Sequence, residues 1–306
     1  MRIDRYSVLT AAVGLFVGLI VLVGAPTRTI AEALPAQIAD SEFWRMISDF
    51  SEPGGSFRFQ FTSNEREFPT LISELKTSTK PGGVYLGVGP EQNFSYISAL
   101  QPRIAFVLDI RRDNVLEHLI YKAIFEMSSN RVDFLSRLFS RKPPAGLNDR
   151  STAGALFQAF GTTTSDPRLF DQNLQAVRDR LIKSHRFPLT PVDLEIIETI
   201  YRRFFAAGPG VSNSPGNFGR RSSPTYAELM TATDEHGEAR SYLASEENYR
   251  FVRDLQQKNL VVPLVGNFAG AKAIRAVAQY LKDHQATVTA FYASNVEQYL
   301  FEQNDD

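Results

Sequence analysis

The 306-residue chain contains no cysteine and only four histidines. The missing thiols exclude a cysteine nucleophile, disulfide bonds, cysteine-ligated zinc and iron–sulfur clusters, and with so few histidines we expect no metal cofactor. Lysine plus arginine (33) nearly balance aspartate plus glutamate (34). The basic surplus typical of nucleic-acid-binding proteins is therefore absent, and we expect no nucleic-acid partner. The remaining composition, 43% hydrophobic, is that of an ordinary globular protein with room for one large α/β domain.

One apolar run approaches membrane-spanning length, and it lies near the N-terminus. Arg2 and Arg5 precede a run over residues 8–25, and the triplet Ala-Glu-Ala follows at residues 31–33. This order predicts a secretory signal peptide over residues 1–33, with an uncleaved N-terminal anchor as the alternative. In either case we expect the body to be periplasmic or secreted, because basic residues before such a run tend to stay inside. The membrane is then a partner only through an uncleaved segment.

Short apolar runs alternate with helical patterns through the body. Residues 104–108 are a compact apolar run, which is typical of a parallel strand buried on both faces. Spacing of apolar residues predicts one long helix over residues 114–139. The fold class is therefore α/β, with a doubly wound, mostly parallel sheet and extra helices. The predicted strands cover residues 84–89, where the strand runs into a glycine turn, and residues 104–108, 259–265 and 287–292.

We interpret residues 34–306 as a single domain with a helical insertion at about 141–258. Within it, Thr190 suits a helix N-cap, Pro191 the first helical position, and Asp193 the first turn. Residues 208–224 are rich in Gly, Ser, Asn and Pro. This long loop predicts either a functional lid or a surface insertion.

The most informative pattern joins two strand ends. Gly87 and Gly89 end the first predicted strand, and Asp109 ends the next. Glycines let the backbone approach a ligand closely, and the following helix N-terminus offers unpaired N–H groups. An acid about twenty residues later is placed to accept hydrogen bonds from ribose hydroxyls. The pattern predicts a site for a nucleoside-like small molecule.

These residues resemble motif I of class I S-adenosylmethionine-dependent methyltransferases, which have a Rossmann-like fold. Gly87, Gly89 and Asp109 match the motif, whereas Tyr85 stands at its first acid and Glu91 at its third glycine. The resemblance implies a methyltransferase-like fold with S-adenosylmethionine as cofactor, held in part by the 87–91 loop. Tyr85 cannot replace the charge of the first acid. The resemblance therefore does not by itself imply that cofactor binding is retained.

A second match lies at residues 266–268. In the methyltransferase fold the fourth strand ends beside the cofactor, often in Asn or Asp, and we place residues 262–265 in that role. Asn267 is then expected to bind the ligand and Phe268 to stack on it. The segments YLGVGPEQN, FVLDIRRDN, PLVGNFAG and FYASNVEQY also resemble a group of bacterial proteins given a methyltransferase-like fold without an assigned activity.

Each site residue also has a purely structural interpretation. A Gly-x-Gly after a strand is commonly a tight turn. Asp109 alone can cap the next helix or pair with Arg111 or Arg112, and Asn267 can be a turn former. Among proton-transfer candidates, residues 234–238 favour a solvated turn, and His185 a capping or packing histidine. No catalytic residue is predicted.

Two functions follow from these patterns. We expect an exported protein that keeps a methyltransferase-like fold and binds a small nucleoside-like ligand at Gly87, Gly89, Asp109 and Asn267. The alternative is an active S-adenosylmethionine-dependent methyltransferase with an unknown acceptor. Export favours the first, because S-adenosylmethionine is made in the cytoplasm. The sequence predicts neither the oligomeric state nor whether the N-terminal segment is cleaved.

Overall fold

Four parallel strands form the centre of the fold in the computed structural model, which describes residues 33–57, 61–213 and 223–297. They are β1 (Val84–Val88), β2 (Ile104–Asp109), β3 (Val261–Val265) and β4 (Val288–Tyr292), in the spatial order β3-β2-β1-β4. This confirms the α/β class and the parallel sheet. The chain reverses its direction of winding between β1 and β4, which is the place where open α/β sheets bind ligands.

Eleven α-helices surround this sheet in the described part of the chain. A π-helical turn, Arg180–Ser184, follows α7, and a 3₁₀ turn, Gly208–Gly210, follows α8. The helices are α1 (Asp40–Phe50), α2 (Phe68–Ser78), α3 (Gln92–Leu100), α4 (Arg112–Met127), α5 (Arg131–Phe139), α6 (Ala153–Thr162), α7 (Pro167–Asp179), α8 (Pro191–Ala207), α9 (Tyr226–Thr231), α10 (Glu246–Gln257) and α11 (Ala273–Asp283).

Both faces of the sheet are covered. On one face, Tyr85 of β1 packs beside Tyr96 of α3, with ring centroids 6.3 Å apart. On the other, Tyr280 of α11 contacts Phe106 of β2 at 5.8 Å and Phe50 of α1 at 6.0 Å. Every residue of β2 and β3 is buried. The prediction that residues 104–108 form a parallel strand buried on both faces is therefore confirmed.

The strand over residues 261–265 does not take the place of the fourth strand of the methyltransferase fold, so that expectation was wrong. It pairs with β2, where Val107 opposes Pro263, and lies at an edge of the described sheet. Proline is tolerated there because it offers no N–H to a further strand. The strand beside β1 at the switch point is β4, which continues into residues 293–297.

The single helix predicted over residues 114–139 is also wrong, because α4 ends at Met127 and α5 begins at Arg131. The break follows from Asn130, whose side chain accepts a hydrogen bond from the N–H of Asp133 and so caps α5. The predicted start of α8 is confirmed, because Thr190 and Asp193 form a reciprocal capping box there.

Two predicted segments lie partly outside the described residues. The signal peptide or anchor lies there except for Ala33, and so do residues 214–222 of the 208–224 loop. No helix of the described part is long and apolar enough to cross a membrane. All of the described residues belong to one compact unit.

Candidate functional site

A pocket opens at the carboxyl ends of all four strands. It is formed by residues 88–90 after β1, by Asp109 and Ile110 after β2, by residues 266–268 after β3, and by Tyr292 with residues 294–296 after β4. The first turn of α3 and two connecting segments complete the wall. These contribute Gln92, Ser56, Phe57, Ser63 and Asn64. We call this cavity the strand-end pocket.

Four of the predicted site residues meet in the strand-end pocket: Gly89, Asp109, Asn267 and Phe268. The backbone of Gly89 has φ +80°, and a Cβ on this residue would meet no atom within 4 Å. Its left-handed conformation is therefore the reason for glycine here, and the space beside it belongs to the pocket. Gly87 and Glu91 are not part of the pocket wall.

Gly87 faces α3 instead of a ligand. A Cβ on Gly87 would lie 1.9 Å from the Asn93 Oδ1 atom, so the glycine makes room for that side chain. Asn93 Oδ1 accepts a hydrogen bond from the Tyr85 hydroxyl at 2.8 Å, and Nδ2 donates to the carbonyls of Val88, Gly89 and Pro90 at 2.7–3.2 Å. The glycine loop is thus held by the protein's own side chains, and Tyr85 serves as part of that support.

Asp109 is paired as well as exposed to the pocket. Its Oδ1 accepts hydrogen bonds from the N–H and Nε of Arg111 at 2.8 and 3.0 Å, and its Oδ2 accepts one from an Arg111 terminal nitrogen at 2.8 Å. A carboxylate oxygen can accept two hydrogen bonds. In this arrangement Asp109 Oδ2 keeps capacity for a ligand hydroxyl, so the ion pair and the ribose interpretation are compatible.

The turn after β3 is organised by Glu52, a residue that no sequence motif indicated. The carboxylate of Glu52 accepts hydrogen bonds from the backbone N–H groups of Asn267, Lys272 and Ala273 at 3.2, 2.7 and 2.8 Å. A Cβ on Gly270 would lie 2.1 Å from it. The N-terminus of α11, a natural anion site, is therefore occupied by an internal carboxylate.

Asn267 and Phe268 stand on this turn. The Asn267 side chain accepts a hydrogen bond from the N–H of Ala269 at 3.0 Å, as expected for the turn-forming alternative. The Phe268 ring stacks on Phe291 with centroids 5.6 Å apart. Phe291 and Phe57 are 49% and 39% exposed. Phe57 and Phe268 line the strand-end pocket, so aromatic rings lie along its rim.

Behind the glycine loop lies a polar helix face for which no sequence motif predicts a function. Asn114, Glu117, His118 and Tyr121 follow one another at i, i+3, i+4 and i+7 on α4, and so share one face. All four are at most 2% exposed. We call them the α4 polar face. The spacing was visible in the sequence, but it is equally typical of a solvated helix surface.

This face touches the wall of the strand-end pocket. The Nε2 atom of His118 lies 3.0 Å from the carbonyl oxygen of Gly89, and because a carbonyl only accepts, Nε2 carries the proton. Burial lowers the pKa of His118 to about 4. Burial also raises the pKa of Glu91 to about 8, although hydrogen bonds from backbone N–H groups, including that of Ser63, lower it.

Other proton-transfer candidates have structural roles. Asp234 accepts hydrogen bonds from two backbone N–H groups, from Ser73 and from Arg240, so residues 234–238 form a turn as expected. His185 lies 2.7 Å from Glu126 and 2.9 Å from Asp40, within an ion-pair cluster remote from the strand ends. Within the described ranges, no three His, Asp or Glu side chains are grouped to hold a metal ion.

Comparison with known proteins identifies the family of this chain. No curated protein matches the chain. A family described as a domain of unknown function, DUF7790, matches residues 60–305, which include all four strands and the carboxyl-end loops that form most of the pocket. The chain therefore belongs to the DUF7790 family.

Proposed function

We propose that this protein binds a small nucleoside-like ligand in the strand-end pocket. The observation that carries the proposal is the convergence of all four strand ends on one cavity that contains the Asp109 carboxylate and aromatic rings. Asp109 is the acceptor for ribose hydroxyls, and Phe268 is the ring for stacking of the base. Gln92 is 1% exposed, and its Oε1 atom has no hydrogen-bond partner among the described residues, so it supplies a further acceptor in the wall.

Size and charge favour a nucleoside over a dinucleotide. The pocket encloses about 160 Å³, below the roughly 300–1,000 Å³ of typical cofactor sites. The Glu52 carboxylate takes the backbone N–H groups at the start of α11, a position that could otherwise hold phosphate. The small volume supports a ligand of which one part is enclosed and the rest lies along the aromatic rim. The filled α11 terminus leaves no phosphate site at that turn.

Methyl transfer from S-adenosylmethionine is a second use of the same pocket. The order β3-β2-β1-β4 supports it, since the Rossmann fold has the same order for its first four strands. Against it, the family's first acid is replaced by Tyr85, which is bonded to Asn93. We therefore rank nucleoside binding first, in a protein exported by its N-terminal segment. A fused reporter active only outside the cytoplasmic membrane tests the export.

Calorimetric titration of the purified protein tests the binding proposal. Adenosine, S-adenosylmethionine and NAD⁺ are compared, and saturable binding of adenosine is expected. Asp109→Asn and Gln92→Leu should each weaken it roughly tenfold or more, because each removes an acceptor from a buried site. Glu247→Gln, on the exposed surface of α10, is the matched control. Absence of binding by folded protein, or equal affinity in all variants, refutes the proposal, and tighter binding of S-adenosylmethionine than of adenosine favours methyl transfer.

A further inference from the structure

The glycine loop and the first turn of α3 use backbone donors within the protein that a bound phosphate would need. In open α/β sheets, phosphate groups accept hydrogen bonds from free N–H groups of such a loop and helix N-terminus. Here the N–H of Gly89 donates to the carbonyl of Leu108 at 3.2 Å. The N–H of Phe94, in the first turn of α3, donates to the carbonyl of Glu91 at 2.9 Å. These donors are therefore not available to a ligand.

Two carboxyl groups of the protein take further backbone donors around the strand-end pocket. Glu91 is fully buried, and its Oε1 atom accepts a hydrogen bond from the N–H of Ser63, a wall residue, at 3.3 Å. Glu52 accepts hydrogen bonds from the N–H of Asn267, another wall residue, and from two N–H groups at the start of α11. A ligand phosphate at either place would have to displace a carboxyl group of the chain itself.

The wall of the pocket carries one formal charge, and this charge is negative. Among the described residues that line it, Asp109 is the only Asp, Glu, Lys, Arg or His. The other polar side chains of the wall are amides and hydroxyls, from Ser56, Ser63, Asn64, Gln92, Asn267, Tyr292, Ser294 and Asn295. A phosphate monoester carries a charge of about −1.5 to −2 at pH 7. No cation of this wall compensates that charge, and the Asp109 carboxylate repels it.

Arg111 does not supply the missing positive charge. Its guanidinium is buried and donates to both carboxylate oxygens of Asp109, at 3.0 and 2.8 Å. The pair has no net charge, so it attracts an anion weakly. Transfer of the guanidinium to a ligand phosphate would leave the Asp109 carboxylate buried without its partner, which is strongly unfavourable.

We propose that the strand-end pocket selects unphosphorylated nucleosides and rejects nucleoside phosphates by charge. This selection presupposes nucleoside binding in the pocket and adds which class of nucleoside is bound. Hydroxyl and amino groups of a nucleoside donate to the acceptors Asp109 and Gln92, whereas a fully ionised phosphate donates no hydrogen bond. A nucleotide must therefore lose its phosphate, by hydrolysis of the ester, before the pocket binds it.

Calorimetric titration of the full protein with three ligands tests the selection. These are adenosine, adenosine 5′-monophosphate and 5′-O-acetyladenosine, whose uncharged ester group stands at the oxygen that carries the phosphate and so separates charge from bulk. We expect the monophosphate to bind at least about tenfold more weakly than adenosine, and the acetyl ester to bind within about threefold of it. Raising sodium chloride from about 0.05 to 0.5 M should narrow the deficit of the monophosphate, because salt screens charges.

Two variants locate the origin of the selection. Glu52→Ala frees the N–H groups at the start of α11 and removes a negative charge, and Asp109→Asn leaves the Arg111 guanidinium without its carboxylate. Each variant should lower the ratio of adenosine affinity to monophosphate affinity by roughly fivefold or more. Glu247→Gln, which changes an exposed carboxyl group of α10, is the control and should leave the ratio unaltered.

The results separate this selection from nucleoside binding itself. Equal affinity for adenosine and its monophosphate overturns the selection and leaves nucleoside binding intact. The same holds if the acetyl ester binds as weakly as the monophosphate, or if the ratio responds to neither variant. If neither variant folds, the unaltered protein decides, and a ratio that does not change with salt refutes selection by charge. Absence of adenosine binding by folded protein refutes both proposals.

Discussion

Replacement of Glu52 should destabilise the protein through the N-terminus of α11. The carboxylate accepts three backbone hydrogen bonds of 2.7–3.2 Å from residues 267, 272 and 273. Losing a helix cap costs roughly 0.5–2 kcal/mol, and loss of the negative charge beside the helix dipole costs about 0.3–1 kcal/mol. We expect Glu52→Ala to lower the free energy of unfolding by about 2 kcal/mol and Glu52→Gln, which keeps one acceptor oxygen, by about 1 kcal/mol.

The pH dependence gives a second measurement of the same contact. Partial burial raises the pKa of Glu52, but the hydrogen bonds from Ala273, Lys272 and Asn267 outweigh it, so that the pKa lies below its ordinary value of 4.5. A lowered pKa contributes stability above pH 4.5 that is lost as pH falls through the folded-state value. The difference between the unaltered protein and Glu52→Ala should therefore shrink below pH 4.5.

Urea unfolding at pH 7 and at pH 4, followed by circular dichroism, measures both effects. Glu247→Ala, at an exposed position in the first turn of α10, is the control and should stay within about 0.5 kcal/mol of the unaltered protein. The reasoning is refuted if Glu52→Ala is no less stable than this control, or if its deficit is the same at both pH values.

Three further predictions use the same unfolding assay. Gly87→Ala should cost about 3 kcal/mol because its Cβ would overlap Asn93, whereas Gly89→Ala should cost only about 1–2 kcal/mol for its positive φ. Arg131→Ala should cost about 3–5 kcal/mol, since this buried guanidinium donates to one carboxylate and four carbonyl oxygens. The pKa of Glu91, raised to about 8, predicts that stability falls as pH rises from 4.5 to 8, and Glu91→Gln should remove this contribution to the slope.

Each of these expectations has its own control. Gly161→Ala, in α6 with open space around its Cβ, should be neutral or stabilising, and equal losses at Gly87 and Gly161 would contradict the steric argument. Arg131→Lys should recover little, because an ammonium cannot reproduce the planar fork, and a full recovery would contradict the geometry. An unchanged pH slope in Glu91→Gln would contradict the assigned protonation.

The elements of this fold were largely predictable because their signals are local. Apolar runs bounded by Gly, Pro and polar residues defined the four strands, and the box at Thr190 and Asp193 located the start of α8. The pairing partner of β3 was not predictable in this way. Its place beside β2 results from the crossover geometry, which no run of residues in the strand itself encodes.

The same distinction between local and long-range signals applies to the candidate site. The sequence by itself determined that Gly89 and Asp109 end neighbouring strands, because strand ends and turns are encoded by residues that are neighbours in the chain. Only the tertiary structure decided that Gly87 serves Asn93, that Asp109 is paired with Arg111, and that the α4 polar face is buried. Polar residues at i, i+3, i+4 and i+7 form one helix face whether they meet water or protein. The packing of other elements against α4, a long-range property of the chain, determines which of the two they meet.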